Sequence, residues 1–154
     1  MNVTETEAIH KEIYVDASPE TAFRVFTEQI EAWWPLQTYG IFLEDRGTVL
    51  FEDRDPWVLV EKAKDGREAV WGEVLEYEFS SRLRMTWHPG RTHDEMPTEI
   101  ELTFTADGDG TTVVLEHRGW EKCVGDRLAA RSGYDPGWDT VLAEYTTAAG
   151  KEMT

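Results

Sequence analysis

Apolar and polar residues alternate over much of the chain, and this alternation predicts β-strands. In residues 82–87 the apolar side chains of Leu83, Met85 and Trp87 fall on one face, and polar side chains fall on the other. A period of two residues is typical of a strand with one buried face. The same pattern predicts strands at residues 9–16, 70–79, 98–105 and 112–118.

Turn-forming residues separate these strands and indicate antiparallel pairing. Asp65-Gly66 and the run Asp107-Gly108-Asp109-Gly110 suit tight hairpin turns. Glu73 interrupts the apolar face that begins at Trp71, so either a β-bulge shifts the register or the carboxylate points inward. Shorter strands are predicted at residues 38–43, 48–51 and 57–60.

Helical segments flank the strands. Ser18-Pro19-Glu20 is a helix-start signal, because Ser caps free amides, Pro suits the first turn and Glu complements the helix dipole. One or two short helices should follow and end by Trp33-Trp34-Pro35, since Pro35 disfavours helical geometry in the residue before it. Near the C-terminus, an apolar stripe with helical spacing is formed by Trp138, Val141, Leu142 and Tyr145.

The last helical region contains a Gly-Pro-Gly element that predicts a division into two pieces. A continuous helix is disfavoured at Gly133, Pro136 and Gly137, by about 3 kcal/mol for proline and about 1 kcal/mol for each glycine. The second piece is expected to begin near Gly137. The break is either an entrance gated by Tyr134 or a structural kink.

The order of elements predicts an α+β fold. A first strand, one or two short helices, about six further strands and a long C-terminal helix imply an antiparallel sheet with helices on one face. We expect a single domain over residues 1–154, with an ordered core at about residues 8–150. A cavity for a small molecule is expected between the sheet and the C-terminal helix.

The charge of the chain excludes some classes of partner. The formal net charge is −16 and the sequence pI is about 4.5, which disfavours nucleic acid and anionic membrane surfaces. Cys123 is the single cysteine, so an intramolecular disulfide is excluded. With no signal-peptide pattern and no apolar stretch of membrane-spanning length, we expect a cytoplasmic protein. Oligomeric state stays open, with a homodimer among the options.

Short motifs occur along nearly the whole chain in a characteristic order. They are DASPETAF at 16–23, WWP at 33–35, WGEV at 71–74, LRMTW at 83–87, TEI at 98–100, EHRGW at 116–120 and GYDPGW at 133–138. In this order and spacing they resemble the SRPBCC superfamily of START-like, helix-grip domains. Within that superfamily the chain is similar to the group named after the activator of Hsp90 ATPase homologue 1.

This resemblance implies a strongly curved antiparallel sheet of about seven strands that grips a C-terminal helix around an apolar cavity. The superfamily includes lipid and hormone binders, polyketide cyclases and aromatases, and antibiotic-sequestering resistance proteins. Fold therefore does not decide function here, because function depends on the site.

The leading hypothesis is binding of a hydrophobic, aromatic or polycyclic small molecule. The chain is rich in aromatics, with seven Trp, five Tyr and six Phe, and such side chains often line ligand cavities. His117 lies on the predicted inward face of its strand, and we expect it and Tyr134 to form hydrogen bonds with the ligand. The predicted ligand-binding residues are Trp71, Met85, Trp87, Phe104, His117, Trp120, Tyr134 and Trp138.

Two other functions stay open at this point. An enzyme of the cyclase, aromatase or hydrolase type would use His117 with Glu73 or Tyr134 for acid–base chemistry. A protein-interaction module associated with a chaperone would instead present an exposed apolar patch.

No metal or cofactor is predicted. His88, His93, Asp94 and Glu95 lie in one polar loop, but their spacing matches no known ligand pattern. Cys123 has no neighbouring histidine or second cysteine in the sequence and is expected to be inert. Phosphate-binding glycine loops and nucleophile-elbow motifs are absent from the sequence.

Overall fold

The computed structural model describes residues 7–123, 125 and 129–151 and shows one seven-stranded antiparallel sheet. The strand order across the sheet is β1-β7-β6-β5-β4-β3-β2. Neighbouring strands from β2 to β7 are also consecutive in the chain, as the hairpin signals predict. The strands are β1 (Ile9–Val15), β2 (Arg46–Glu52), β3 (Val58–Ala63), β4 (Glu68–Glu78), β5 (Arg82–Trp87), β6 (Thr98–Asp107) and β7 (Gly110–Arg118).

Three short helices follow β1: α1 (Pro19–Thr27), α2 (Ile30–Trp33) and α3 (Leu36–Tyr39). Helix α1 begins as the sequence predicts, with the Ser18 hydroxyl accepting from the Thr21 amide at 3.2 Å. The predicted strand at residues 38–43 is wrong. Pro35 begins a helical turn, since its carbonyl accepts from the Tyr39 amide at 2.9 Å. A 3-10 turn at residues 43–45 then leads into β2.

The C-terminal helix α4 (Arg131–Lys151) is continuous through Pro136. The predicted start near Gly137 is therefore wrong. Pro136 lies in the second turn and removes only one backbone donor, while the Lys11 ammonium on β1 binds Asp135 at 2.5 Å and Asp139 at 3.1 Å. The predicted first helical piece contains a 3-10 turn at 120–122; residues 124 and 126–128, also part of it, lie outside the described residues.

Two bulges in β4 set the direction of its side chains. The β3–β4 register passes from Leu59 opposite Gly72 to Val60 opposite Val70, which leaves Trp71 as the extra residue. A second shift leaves Leu75 extra opposite β5. Bulges bend a strand and increase its twist. The structure thus shows the bulge that the interrupted pattern allowed, and Glu73 is half-buried.

The hydrophobic core lies between the sheet and helices α1, α2 and α4. Tyr145 of α4 is buried among Phe26 and Trp33, at ring-centroid distances of 5.4 and 5.2 Å. Its hydroxyl donates to the Ala22 carbonyl at 2.7 Å, which joins α4 to α1. Burial raises the pKa of the Tyr145 phenol. The α+β helix-grip fold predicted from the sequence is confirmed.

Ion pairs cover the opposite face of the sheet. Three arginines pair with glutamates on neighbouring strands, and Arg118 contacts Glu99, Glu101 and Glu116 within 3.1 Å. Outward-facing charges of both signs on adjacent strands form favourable cross-strand pairs. The other members of the network are Arg82, Arg84 and Glu76.

Candidate ligand cavity

A cavity of about 430 Å³ lies between the sheet, the start of α4 and the segment that connects α2 to β2. Small-molecule sites commonly have volumes of about 300–1,000 Å³ and apolar walls. None of the described lining residues carries a charged side chain. The lining residues are Trp34, Tyr39, Gly40, Ile41, Trp71, Trp87, Pro89, Ala130, Gly133, Tyr134, Gly137, Trp138 and Val141.

Four tryptophans form a continuous aromatic wall. The ring of Trp34 lies 5.0 Å from Trp71, 5.9 Å from Trp87 and 6.1 Å from Trp138 between centroids. Trp71 and Trp87 are themselves 5.8 Å apart and inclined at 73°. Tilted and edge-to-face pairs at these distances are favourable. The wall is therefore built from four separate parts of the chain: the end of α2, β4, β5 and α4.

Local structure explains how these rings reach one place. Trp71 is the extra residue of the β4 bulge, and its carbonyl accepts from the His88 amide at 2.6 Å. Gly72 allows this close approach of β4 to β5, because a Cβ at that position would lie 1.8 Å from the Thr86 carbonyl oxygen. Pro35 ends α2 and leaves Trp34 in an extended conformation. Trp33 and Trp34 can then both be buried, with Trp33 in the core and Trp34 on the cavity.

His117 is fully buried beside the cavity and is bonded through both ring nitrogens. Thr98 donates its hydroxyl to the Trp87 carbonyl at 2.8 Å, so its oxygen accepts from Nε2 of His117 at 2.9 Å. The indole N–H of Trp138 donates to Nδ1 at 3.1 Å. These partners fix a neutral ring with its proton on Nε2. Burial, with a smaller effect of Arg131, lowers the pKa of His117 to about 3.

Tyr134 covers His117 from α4. Its ring lies 5.1 Å from that of His117 and 5.8 Å from that of Trp120. Burial raises the pKa of Tyr134 to about 12, against smaller lowering effects from the Trp87 indole N–H and from Arg91. The phenol is therefore neutral and available as a hydroxyl group. The Trp87 N–H lies near it without reaching hydrogen-bond geometry.

A buried carboxylate holds one wall of the cavity. Glu61 on β3 is fully buried and accepts from the backbone amides of Ile41 at 2.7 Å and Phe42 at 3.3 Å. Gly40 packs closely here, since a Cβ would lie 3.0 Å from the Glu61 carboxylate. In a strand, these two backbone amides would donate to a neighbouring strand. Here the Glu61 carboxylate accepts from both of them. The wall segment of residues 39–41 is thus tied to the sheet.

The polar loop after β5 packs around His88. Its Nδ1–H donates to the Arg91 carbonyl at 2.8 Å, so its Nε2 accepts from the Thr86 hydroxyl at 3.0 Å. Thr86 also accepts from the Glu73 amide at 2.8 Å. Burial lowers the pKa of His88, and the hydrogen bond to the Arg91 carbonyl opposes this shift. Both nitrogens of His88 are thus committed to the structure of the loop.

The predicted binding residues fall into two groups. Trp71, Trp87, Tyr134 and Trp138 line the cavity. Met85, Phe104, His117 and Trp120 are buried but are not among its lining residues. Phe104 packs on Phe23 at a centroid distance of 5.0 Å. Nine lining residues were not among the predicted binding residues; the unusual pair Trp33-Trp34 was a signal for one of them. They are Trp34, Tyr39, Gly40, Ile41, Pro89, Ala130, Gly133, Gly137 and Val141.

A second groove lies between α1, α2 and strands β2 to β4. Its volume is about 570 Å³. Trp57 and Tyr77 border it and are 48% and 51% exposed. Glu28 and Glu31 provide an acidic rim. The exposed rings are apolar surface of the kind that the protein-interaction hypothesis predicts, although that hypothesis placed such a patch in place of a cavity.

Sequence comparison identifies one protein family. The model of the activator of Hsp90 ATPase homolog 1-like protein family matches residues 16–148. No curated protein matches the chain in sequence. Among the described residues, no helix has both the length and the apolar character needed to cross a membrane.

Solved structures share the fold over nearly their whole length. The self-sacrificing resistance protein CalC from Micromonospora echinospora is 25% identical, with 96% of this chain and 97% of that chain covered and a TM-score of 0.73. The anthrahydroquino-gamma-pyrone synthase Txn09 is 28% identical, with coverage of 94% and 98% and a TM-score of 0.63. The Aha1 dimer from Colwellia psychrerythraea shares the fold at 16% identity, with coverage of 95% and 99% and a TM-score of 0.66.

Proposed function

Because the chain belongs to the activator of Hsp90 ATPase homolog 1-like family, whose fold places a cavity between sheet and helix, we propose that it binds a hydrophobic, aromatic or polycyclic small molecule there. The observation that carries this proposal is the tryptophan wall of a 430 Å³ cavity without charged lining residues among those described. Flat aromatic surfaces recognise flat aromatic ligands through offset and edge contacts.

One similar structure supports this class of ligand. Txn09 is an anthrahydroquino-gamma-pyrone synthase, whereas the name of CalC, a self-sacrificing resistance protein, states no ligand. The acid–base alternative has less support, because both nitrogens of His117 are bonded to protein groups. A ring whose pKa is about 3 is also a poor base for chemistry near neutral pH.

The test is a titration of intrinsic tryptophan fluorescence with a panel of polycyclic aromatic compounds, with affinities confirmed by calorimetry. Gly133 offers a sharp site control, because it lines the cavity on α4 and a Cβ there meets no atom within 4 Å. Gly133→Phe should fill the cavity mouth and abolish binding. Gly133→Ala should leave binding intact and stabilise the helix by about 1 kcal/mol.

Two results would count against the proposal. If no compound in the panel binds the wild-type protein, the cavity is not a site for this class of molecule. If a compound binds equally well to Gly133→Phe, it binds elsewhere, and the groove near Trp57 becomes the first alternative location.

A further inference from the structure

The environment of each indole N–H separates the seven tryptophans into three groups. Four of them donate to a protein acceptor within 3.1 Å, and Trp57 is half-exposed to solvent. Trp71 and Trp87 have no acceptor among the described protein groups. The four bonded pairs are Trp33 with the Val25 carbonyl, Trp34 with the Tyr39 carbonyl, Trp120 with the His117 carbonyl and Trp138 with His117 Nδ1.

The two unpaired donors are also the two tryptophans that the sheet contributes to the cavity. Each ring is 1% exposed and lines the cavity. A buried donor without an acceptor destabilises the folded protein, because its hydrogen bond to water is lost and not replaced. No described protein group accepts from Trp71 or Trp87 in hydrogen-bond geometry, so an acceptor atom on a bound molecule would satisfy donors that the fold leaves unpaired.

The other polar groups that line the cavity among the described residues are also uncharged. The Tyr134 hydroxyl lies near the Trp87 N–H and stays protonated, because burial raises the pKa of that phenol. No described lining side chain is a carboxylate or an ammonium group. An organic cation would therefore find no counter-ion in the wall, and the net charge of −16 repels anions at long range.

We infer that the cavity selects neutral aromatic ketones or quinones over aromatic hydrocarbons of the same shape, with ring carbonyl oxygens accepting from the indole N–H groups of Trp71 and Trp87. This inference rests on the proposed function and specifies its ligand class. The rings of Trp34 and Trp138 supply apolar contact. The N–H groups of Trp71 and Trp87 distinguish ligands with a carbonyl oxygen from hydrocarbons.

The experiment compares matched ligand pairs by calorimetry. One pair is fluorenone and fluorene; the other is anthrone and 9,10-dihydroanthracene, and all four compounds are neutral. The measured quantity is the ratio of the hydrocarbon Kd to the carbonyl Kd. Trp71→Phe and Trp87→Phe each remove one N–H, and Trp57→Phe outside the cavity is the matched control.

Each cavity variant should lower the ratio about five- to tenfold, since one neutral hydrogen bond contributes about 1 kcal/mol. Both members of a pair lose the same indole surface, so their ratio isolates the N–H contribution. Trp57→Phe should leave the ratio unchanged. If a phenylalanine variant does not fold, benzothienylalanine at the same position keeps the ring shape and replaces the N–H with sulfur.

Two outcomes would overturn the inference in distinguishable ways. Ligands that bind the wild type with a ratio that neither Trp71→Phe nor Trp87→Phe changes would disprove donor selection and leave the proposed function standing. If no member of either pair binds and the wider fluorescence panel is also negative, the proposed function fails, and the inference fails with it.

Discussion

The indole N–H of Trp138 donates to Nδ1 of His117 across 3.1 Å and connects helix α4 to strand β7. Both residues are buried, and their rings meet edge to face at a centroid distance of 6.0 Å. Nε2 of the same imidazole donates to Thr98 on β6. One neutral histidine therefore joins two strands to the helix that closes the cavity, and its role here is to position Trp138.

This relationship predicts strong coupling between the two side chains. Trp138→Phe and His117→Gln should each lower the free energy of unfolding by about 2–4 kcal/mol, through lost burial and an unpaired polar group. The double variant should lose less than the sum of the two, with a coupling energy of about 1–2 kcal/mol. Urea denaturation of the wild type, the two single variants and the double variant measures this coupling energy. Additive losses would show that the hydrogen bond contributes little.

The burial of His117 also predicts a pH dependence of stability. An exposed histidine has a pKa of about 6.5, whereas that of His117 in the folded protein is about 3. The unfolded chain therefore binds a proton that the native state does not. Stability contributed by neutral His117 is present above about pH 6.5 and falls by up to about 1.4 kcal/mol per pH unit below it. His88, whose pKa is also lowered by burial, acts in the same direction.

Comparison of variants isolates the contribution of His117. Denaturation between about pH 7 and pH 5 avoids most carboxylate titration. The wild type should lose more stability over this range than His117→Gln does. His10→Gln is the control, because His10 is exposed on β1. Identical pH profiles for wild type and His117→Gln would contradict the assignment of a depressed pKa.

The sequence was informative where side-chain direction follows from a local period. Alternation in β7 predicts that His117 faces inward, and the residue is fully buried. Its partners Thr98 and Trp138 are 19 and 21 residues away in the chain, and no local rule links them. The same limit applies to Trp34, whose orientation depends on how α2 ends against the sheet.

Long-range polar contacts also explain the wrong predictions. Residues 38–43 have strand-like composition, but the Glu61 carboxylate takes the amides of Ile41 and Phe42 that a strand would use. Pro136 predicts a helix break by propensity alone. Burial of the α4 stripe and the pairing of Lys11 with Asp135 act against that propensity, because tertiary packing supplies most helical stability.

Gly72 is predicted to be a position where alanine is not tolerated. A Cβ there would lie 1.8 Å from the Thr86 carbonyl oxygen and 3.0 Å from the end of the Met85 side chain. Because the first neighbour is backbone, β4 and β5 would have to separate. Gly72→Ala should destabilise the protein by more than about 3 kcal/mol or prevent folding. Thermal denaturation measures this loss. Gly150→Ala on α4 is the control, because its Cβ would meet no atom within 4 Å, and it should be neutral or stabilising in the same assay.

Glu61 is predicted to hold the cavity wall. Glu61→Ala leaves the Ile41 and Phe42 amides without their carboxylate acceptor, which should lower the free energy of unfolding by about 2–3 kcal/mol. Glu61→Gln keeps one acceptor oxygen and should lose less. Hydrogen exchange at these two amides measures the effect directly, and exchange should be faster in Glu61→Ala than in the exposed control Glu44→Ala.

The same variant connects the wall to binding. Residues 39–41 line the cavity and are tied to the sheet through Glu61, so a loosened segment must be reordered when a ligand enters. Ordering a segment on binding reduces affinity, and Glu61→Ala should therefore raise the Kd of any cavity ligand several-fold, with Glu61→Gln in between. Unchanged exchange at Ile41 and Phe42 in Glu61→Ala would show that the carboxylate does not hold this wall. Faster exchange with an unchanged Kd would show that the segment does not contribute to the site.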